Sequence, residues 1–459
     1  MTYDYAVKAN PNDNNDNNLH FESRFESGNL KKATKTGPFS YDLQLREDLH
    51  TKGHTQWFYF KVENMIGGVD YEFSISNMKK KDSLYGKGMR PLMYSQHLST
   101  VSSSGWIRCG EQISYLVNQE PGNTPTKSDY TLKFSLRFPQ SSDIVYLANS
   151  YPYTYSRLQR YIVSLKLDEK NEQYLRHKVL GKTFLGNNLD MLCISQKVSS
   201  PKELVNRKAI VFIGRVHPGE TNSSWTVHGL VDFLLSDQEE AKYLRENYVV
   251  KIIPMLNPDG VIVGNHRCNY KGFDLNRQWK IDLDLQQYIP EIVITKGMIK
   301  ATLESRKIEF FCDFHGHSKK HGVFIYGCNN DFTVDLEHKE KVFPFMLDKD
   351  SHIFSFQKCH FKRRKGKEGT ARLVLRNEMD ILNSFTLETS FAGSLRDQTH
   401  FSIHTLKELG KVFGSTVQKF LYKYPDIEKT AFDYQDLPWS KSIDYLMGEP
   451  DTKIEFFER

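Results

Sequence analysis

The chain has 459 residues, of which 26% are charged and 13% are aromatic. This aromatic content excludes a mainly disordered chain, and the composition also excludes collagen-like and coiled-coil proteins. The formal net charge of +6 is small for this length and does not by itself indicate a nucleic-acid partner. No apolar run approaches the ~18 residues that a membrane-spanning helix needs.

The cysteines and the first residues indicate the compartment. The six cysteines are scattered and form no CxxC pair, which disfavours a disulfide framework and a four-cysteine zinc site. Met1 to Tyr5 lack the charged and then apolar pattern of a secretory signal peptide. We therefore expect reduced thiols and a cytosolic protein.

The N-terminal third of the chain predicts a β-sandwich. Residues 1–19 are expected to be a flexible leader, because their Asn- and Asp-rich stretch cannot form a core. Apolar and polar residues then alternate in short segments such as Tyr41–Leu45 and Tyr71–Ile75. A period of two is typical of half-buried strands, so residues 20–150 are predicted to form an antiparallel β-sandwich domain.

Residues 151–424 are predicted to form an α/β domain with a mixed central sheet. Continuous apolar runs at 209–213, 249–253 and 308–312 are typical of strands buried on both faces. Helices are predicted over 156–167, 223–235, 289–306 and 404–422. Ser156 is the expected N-cap of the first of these helices. The weakly patterned residues 425–459 are predicted to be a C-terminal tail.

The first polar cluster contains His217 and Glu220, which follow the apolar run at 209–213. Three residues apart in a turn, an imidazole and a carboxylate can converge on one point, and zinc accepts both as ligands. An isolated HxxE pair is common, however. Alone it is more simply a surface histidine and a glutamate at a helix N-terminus.

The second cluster contains His315 and His317, directly after the run at 308–312. Functional groups in α/β sheets gather at the carboxyl ends of strands, so either histidine could be a third zinc ligand. In a continuing strand both side chains would project from the same face, and spacing does not choose between them. Each alone is equally consistent with an exposed loop histidine.

The third cluster contains Arg267, Asp274, Asn276 and Arg277. Arginine and asparagine side chains can bind a carboxylate, and Asp274 could accept the second ring N–H of a zinc-bound histidine. The alternative is a polar loop with a structural salt bridge.

Glu388 forms the fourth candidate, within the apolar run at 385–390. Removing a carboxylate from water is costly, so it is either paired structurally or functional. Beside zinc, it could take a proton from a water molecule.

Together the four clusters resemble the M14 metallocarboxypeptidase family. Within that family they resemble the cytosolic carboxypeptidase branch, and most of all its group of cytosolic carboxypeptidases 2 and 3. The resemblance extends over most of the chain, including the β-sandwich that is typical of this branch. The segments that carry it are 21–30, 55–60, 151–155, 217–220, 257–261, 274–277, 313–318 and 385–388.

The resemblance implies that residues 151–424 are a zinc carboxypeptidase domain with one Zn²⁺ per chain. It implies that His217, Glu220 and His315 hold the metal, with His315 preferred over His317. It implies that Glu388 is the general base and acid and that Arg267 polarises the carbonyl group of the bond to be cut. It also implies that Asn276 and Arg277 bind the C-terminal carboxylate of the substrate and that Asp274 supports a zinc ligand. The mobile tyrosine of the digestive enzymes has no counterpart in the corresponding segment 367–372.

The resemblance also implies a substrate class: glutamates on polyglutamylated tubulin and on other acidic C-terminal tails. It implies a protein of the cytosol, and of the centriole, basal body or cilium. We expect a monomer, and the small net charge and the absence of a long apolar run predict neither a nucleic-acid nor a membrane partner. A basic span would attract such tails; its residues are Lys358, Lys362, Arg363, Arg364, Lys365, Lys367 and Arg372. Arg372 lies where the family's specificity-pocket residue is expected. One alternative is a solvated basic loop. The other is a nuclear localisation or nucleic-acid patch, although the spacing shows no aromatic stacking platform.

Two other functions share parts of this pattern. An aspartoacylase-like zinc amidohydrolase would also contain HxxE and a later histidine, but the Asn276–Arg277 pair and the β-sandwich disfavour it. A non-catalytic binder of tubulin tails would keep the fold, but would not need the complete set of candidate catalytic residues.

Overall fold

The computed structural model describes residues 2–5, 18–118, 129–200, 204–329 and 338–430. It confirms the predicted fold class, an N-terminal β-sandwich followed by an α/β domain with a mixed sheet. Of the leader predicted over 1–19, the structure describes residues 2–5, 18 and 19, and Thr2–Asp4 pair with Lys32–Thr34, so this part belongs to the sandwich and not to a flexible leader. The tail predicted over 425–459 lies outside the described residues except for 425–430. Among the helices of the described residues, none is both long enough and apolar enough to span a bilayer.

Two sheets form the N-terminal domain. The strands described there are β1 (Thr2–Asp4), β2 (His20–Glu22), β3 (Lys32–Lys35), β4 (Ser40–Gln44), β5 (Tyr59–Glu63), β6 (Asp70–Met78), β7 (Leu92–Ser95), β8 (Ile107–Arg108), β9 (Glu111–Val117), β10 (Tyr130–Arg137) and β11 (Val145–Ala148). Their orders are β1-β3-β4-β6-β10-β9 and β2-β5-β11-β7-β8. The pairing is antiparallel, as predicted, except that β4 and β6 are parallel. The chain forms β5 in the other sheet before it returns as β6, which allows this parallel pair.

The alternating sequence pattern places the sandwich core between the two sheets. In β5, Phe60 and Val62 are fully buried, whereas the residues on either side of them are partly exposed. The ring of Phe21 in one sheet lies 5.4 Å from that of Tyr41 in the other. Aromatic contacts of this kind explain why the domain is so rich in Phe and Tyr.

A seven-stranded mixed sheet forms the centre of the second domain. Its strands are β12 (Leu175–Lys182), β13 (Asn188–Ile194), β14 (Lys208–Gly214), β15 (Tyr248–Ile253), β16 (Ile308–His317), β17 (Val323–Tyr326) and β18 (Ser384–Ser390), in the order β12-β13-β15-β14-β16-β18-β17. The four strands β15, β14, β16 and β18 are parallel. The three predicted apolar runs are parts of β14, β15 and β16. A short hairpin of β19 (Gly393–Ser394) and β20 (Thr399–His400) follows.

Helices cover both faces of this sheet. The α-helices of the described chain are α1 (Gln96–Ser102), α2 (Tyr155–Leu167), α3 (Thr221–Leu234), α4 (Glu239–Asn247), α5 (Pro258–Val263), α6 (Pro290–Ser305), α7 (Lys339–Asp350), α8 (Ala371–Glu378) and α9 (Ile403–Lys423). Helices α3 and α9 share one core with the sheet, and α6 and α8 share another. The four predicted helices correspond to α2, α3, α6 and α9. The predicted cap Ser156 is wrong: Thr154 Oγ1 accepts the N–H of Arg157 at 3.1 Å, which starts α2 two residues earlier.

The N-terminal domain binds directly to a loop of the α/β domain. The carboxylate of Asp48, which is 1% exposed, accepts the backbone N–H groups of His266, Arg267 and Cys268 at 2.6, 2.7 and 2.7 Å. Three charge-assisted hydrogen bonds to successive residues fix the path of this loop. Because Arg267 is a candidate site residue, the β-sandwich helps to position the site.

We predict that Asp48→Asn destabilises this contact between the domains. An amide can present only one acceptor oxygen, so at least one buried N–H would face an N–H₂ group, at a cost of about 1–3 kcal/mol. Thermal unfolding should show a lower Tm, and hydrogen exchange should increase at residues 266–268. The matched control is Asp70→Asn in the exposed ion pair with Arg137, which should leave both nearly unchanged. An unchanged Tm and unchanged exchange for Asp48→Asn would contradict the prediction.

Candidate active site

The candidate site lies at the carboxyl ends of the parallel strands. His217 and Glu220 lie in the turn between β14 and α3, His315 lies near the end of β16, and Glu388 lies on β18. His315 and Glu388 are register partners in the parallel pairing of β16 with β18. Register partners project from the same face of a sheet, so the two side chains are neighbours.

His217, Glu220 and His315 form a compact, buried group. One ligand atom from each lies within 4.8 Å of the others, and their exposed fractions are 4, 6 and 2%. Nδ1 of His217 lies 2.7 Å from Oε1 of Glu220, and Nδ1 of His315 lies 2.9 Å from Oε2. This is the nitrogen and oxygen ligand set that zinc prefers.

The outer contacts of the two imidazoles show that this group fits a metal ion. Nε2 of His217 lies 3.1 Å from Oδ1 of Asp274, and Nε2 of His315 lies 2.7 Å from Oδ2 of Asp313. Since carboxylates only accept, these outer contacts hold the proton of a neutral ring on Nε2, and Nδ1 can then present a lone pair. Two such lone pairs and a carboxylate face one another, and either protons on the rings or a metal ion between them makes the arrangement favourable.

Electrostatics also favour a cation at this position. Although burial opposes ionisation, His217 and His315 hold the pKa of Glu220 well below its usual value. Although burial favours a neutral imidazole, Asp313 and Glu220 raise the pKa of His315 well above its usual value. Positive charge, as a proton on the imidazole or as a metal ion, is therefore stabilised beside the Glu220 carboxylate.

The approach of β16 to Glu220 depends on Gly316. Its N–H donates to Oε2 of Glu220 at 2.9 Å. A Cβ atom at this position would lie 2.4 Å from Oδ1 of Asn222 and 3.1 Å from Cβ of Glu220. Glycine is required here because any side chain would separate β16 from the residues that follow β14.

Glu388 is half-buried beside the metal-binding group. Burial raises its pKa to about 7; His315 opposes this increase and Glu220 adds to it. A carboxyl group with a pKa near neutrality can both accept and return a proton at physiological pH.

The third sequence cluster surrounds the same centre. Nε and Nη2 of Arg267 donate to Oδ2 of Asp274 at 2.8 and 2.6 Å, so Asp274 contacts both Arg267 and His217. Nδ2 of Asn276 lies 3.1 Å from Nε2 of His315, and its Oδ1 accepts the N–H of Ala371 at 3.0 Å. Arg267, Asn276 and Arg277 line the cavity beside this centre, whereas Asp274 contacts His217 and Arg267 from outside the cavity lining.

His317 has a different position from His315. Its Nδ1 accepts the backbone N–H groups of Lys319 and Lys320, at 3.3 and 3.0 Å, and its ring packs on Phe324 at 5.1 Å. Burial lowers its pKa to about 3. It lines the cavity but is not a member of the metal-binding group, so the structure favours His315 where spacing could not choose.

A cavity of about 330 Å³ opens over this centre. Arg372 lines it, is 8% exposed and donates to the carbonyl oxygen of Gly327, and its guanidinium lies 5.7 Å from the ring centroid of Tyr326. Within the described part of the chain, Arg372 forms no ion pair with a carboxylate, and its Nε makes no hydrogen bond. A buried, unpaired guanidinium at a cavity wall indicates an anionic ligand.

The seven residues of the basic span have different environments. Lys362, Arg364, Lys367 and Arg372 line the cavity, and Arg363 and Lys365 are exposed outside its lining. Lys358 instead donates to the carbonyl oxygen of His321 at 3.2 Å. The predicted positive surface is therefore partly a cavity wall and partly structural.

Three residues at the site were missed by sequence reasoning. Asp313 supports His315, Arg215 shapes the turn before His217, and Lys80 enters the cavity from the N-terminal domain. Arg215 has a φ of +58° and donates to the carbonyl oxygens of Pro218 and Tyr153, at 2.7 and 3.0 Å. Asp313 lies within segment 313–318, which carries the family resemblance, whereas nothing in the sequence places Lys80 beside Ser318, which is 238 positions away.

Two family models match the chain, in the order of its domains. The cytosolic carboxypeptidase N-terminal domain matches residues 21–148, and the zinc carboxypeptidase model matches residues 163–343. Cytosolic carboxypeptidase 2 of Mus musculus is 46% identical over 96% of this chain, and cytosolic carboxypeptidase 3 of Bos taurus is 42% identical over 97%. The chain spans about half the length of these relatives, 50% and 44%.

Solved structures show the same fold. A metallo-carboxypeptidase from Burkholderia cenocepacia superimposes with a TM-score of 0.71 at 20% identity, covering 89% of this chain and all of that one. A metallo-carboxypeptidase from Pseudomonas aeruginosa gives 0.69 at 24% identity, covering 88% and 99%. With both family models and relatives above 40% identity along nearly the whole chain, the protein belongs to the cytosolic carboxypeptidase branch of the M14 zinc carboxypeptidase family.

Proposed function

We propose that this protein is a zinc metallocarboxypeptidase that removes glutamate from the C-termini of acidic protein tails. The observation that carries the substrate class is Arg372, a buried and unpaired cation in the wall of the cavity above the metal-binding group. A guanidinium in this environment would pair with the side-chain carboxylate of a C-terminal glutamate.

His217, Glu220 and His315 would hold the zinc ion, since their donor atoms converge and Asp274 and Asp313 orient the two imidazoles. Bound there, zinc acts as a Lewis acid that lowers the pKa of water and polarises a carbonyl group.

The residues around the metal would carry out the remaining steps of hydrolysis. Glu388 takes a proton from the attacking water and returns it to the leaving amine as the peptide C–N bond breaks. Arg267 donates a hydrogen bond to the carbonyl oxygen as negative charge develops on it. Asn276 and Arg277 bind the terminal carboxylate, which restricts cleavage to the last residue.

The basic cavity wall supports an acidic macromolecular substrate. Lys362, Arg364 and Lys367 add positive charge around Arg372, and such a field attracts polyanionic chains. Polyglutamylated tubulin is the substrate that we propose, with the cytosol as the place of action. Mass spectrometry of polyglutamylated tubulin incubated with the protein would test this. Loss of single glutamates is expected, and unchanged tubulin would exclude it as a substrate.

We predict that His315→Ala loses bound zinc and that His317→Ala retains it. His315 contributes a ligand atom to the convergent group, whereas Nδ1 of His317 already accepts two backbone N–H groups. Elemental analysis of both purified variants measures this directly. Zinc loss on His317→Ala with retention on His315→Ala would show that the ligand assignment is wrong.

Glu388→Gln is predicted to keep the fold and the metal but to lose turnover. The amide has nearly the same shape but cannot accept and return a proton, so the rate should fall by at least about 10²–10⁴-fold. The measurement is kcat on a glutamate-ended peptide, with zinc content and Tm as controls. A rate within about tenfold of wild type, well short of that range, would remove Glu388 from the mechanism.

Replacing Arg372 with Leu should reduce cleavage of glutamate-ended peptides far more than that of leucine-ended ones. Loss of one charged partner corresponds to about a ten- to hundredfold decrease in kcat/KM. Neutralising the exposed residues Lys362 and Arg364 should instead raise KM for peptides with long acidic tails and make that KM less dependent on salt concentration. If Arg372→Leu left the ratio of kcat/KM for glutamate-ended over leucine-ended peptides unchanged, another basic residue would have to bind the side chain of the C-terminal glutamate.

A further inference from the structure

A second cavity adjoins the one above the metal-binding group. It has a volume of about 530 Å³ and is formed by N-terminal-domain residues 52–56, 79 and 80 together with His266 and Arg267. Of these lining residues, Lys80 and Arg267 also line the first cavity. The two cavities therefore meet at Lys80 and Arg267, on the boundary between the domains.

Lys80 carries a charge that its protein neighbours do not neutralise. Its Nζ donates to Oγ of Ser318 at 2.8 Å and lies 3.4 Å from Nε2 of His266. Both groups are uncharged: one is a hydroxyl, and burial holds the pKa of His266 well below its usual value. No carboxylate of the described residues forms an ion pair with Lys80. Burial and the nearby Arg267 lower its pKa to about 8, so an anion at this point would be favourable.

The backbone at Lys80 is held in place, so the ammonium group is positioned before any ligand binds. The hydroxyl of Tyr115 donates to the carbonyl oxygen of Lys80 at 2.5 Å. The adjacent Lys79 is exposed and pairs with Asp129 at 2.7 Å. Lys80 is thus a preorganised cation, whereas its neighbour is an ordinary surface residue.

The order of groups along the cavities gives a direction to the substrate. In the proposed function, Arg372 holds the side chain of the last residue and Arg267 contacts the carbonyl group of the bond to be cut. The preceding part of the chain must leave on the side away from Arg372. The second cavity shares Arg267 and Lys80 with the first and does not include Arg372, so this part of the substrate would pass Lys80.

We infer that Lys80 is a specificity-determining residue, supplied by the N-terminal domain, which binds the side-chain carboxylate of the residue that precedes the bond to be cut. The inference rests on the proposed function, and it assigns the β-sandwich a part in reading the substrate. Two successive acidic side chains of the substrate would then be bound by cations from different domains, Arg372 of the α/β domain and Lys80 of the N-terminal domain.

The test uses two peptides that end in glutamate and differ only in the preceding residue, which is Glu in one and the uncharged, isosteric Gln in the other. Binding is measured by fluorescence anisotropy in the zinc-loaded Glu388→Gln background, where no cleavage should occur. We expect the parent protein to prefer the Glu peptide. Lys80→Met should reduce that preference by about tenfold, and Lys80→Arg, which keeps the charge, should restore it.

Lys61→Met is the matched control, because it removes a lysine charge of the same domain that already has a partner, Glu63 at 2.7 Å, and that lines neither cavity; the Glu-to-Gln ratio should not change. Zinc content and Tm of each variant verify that the fold is intact. An unchanged ratio in Lys80→Met, or equal weakening of both peptides, would overturn the inference. The proposed function fails separately, if the wild-type protein shows no preference for Glu over Leu at the last position.

Discussion

The interaction on which the site depends is the convergence of two imidazoles on the carboxylate of Glu220. Asp274 and Asp313 accept from the outer nitrogens, so the inner nitrogens present lone pairs to a third acceptor. This arrangement is favourable only with positive charge between the three groups, either ring protons or a metal ion. Keeping it requires the fixed turn after β14, held by Arg215, and the close approach of β16, which Gly316 allows.

A second constraint is the burial of positive charge. Arg372 and Lys80 lie in cavity walls without carboxylate partners among the described residues, and each costs desolvation energy in the free protein. An acidic substrate would recover part of that cost, which links specificity to the stability of the unliganded protein. The β-sandwich contributes to this arrangement twice, since Asp48 fixes the loop that contains Arg267, and Lys80 reaches the cavity.

The sequence by itself determined the fold class and most of the candidate site. Alternating and continuous apolar runs are local patterns, and they predicted the half-buried strands of the sandwich and the buried strands β14 to β16. The resemblance added the ligand set and the roles of Glu388, Arg267, Asn276 and Arg277. The HxxE residues and the strand-end histidines lie close together in the sequence, so these motifs can be recognised without the structure.

Only the tertiary structure decided which of the equivalent-looking residues converge. Spacing could not separate His315 from His317, since both project from one face of β16, but the packing of Asp313 and Glu220 selects the first. Lys80 and Asp48 carry no motif, and their importance comes from contacts with residues about 190 to 240 positions later in the chain. Such contacts depend on how the two domains pack together, which local sequence patterns do not encode.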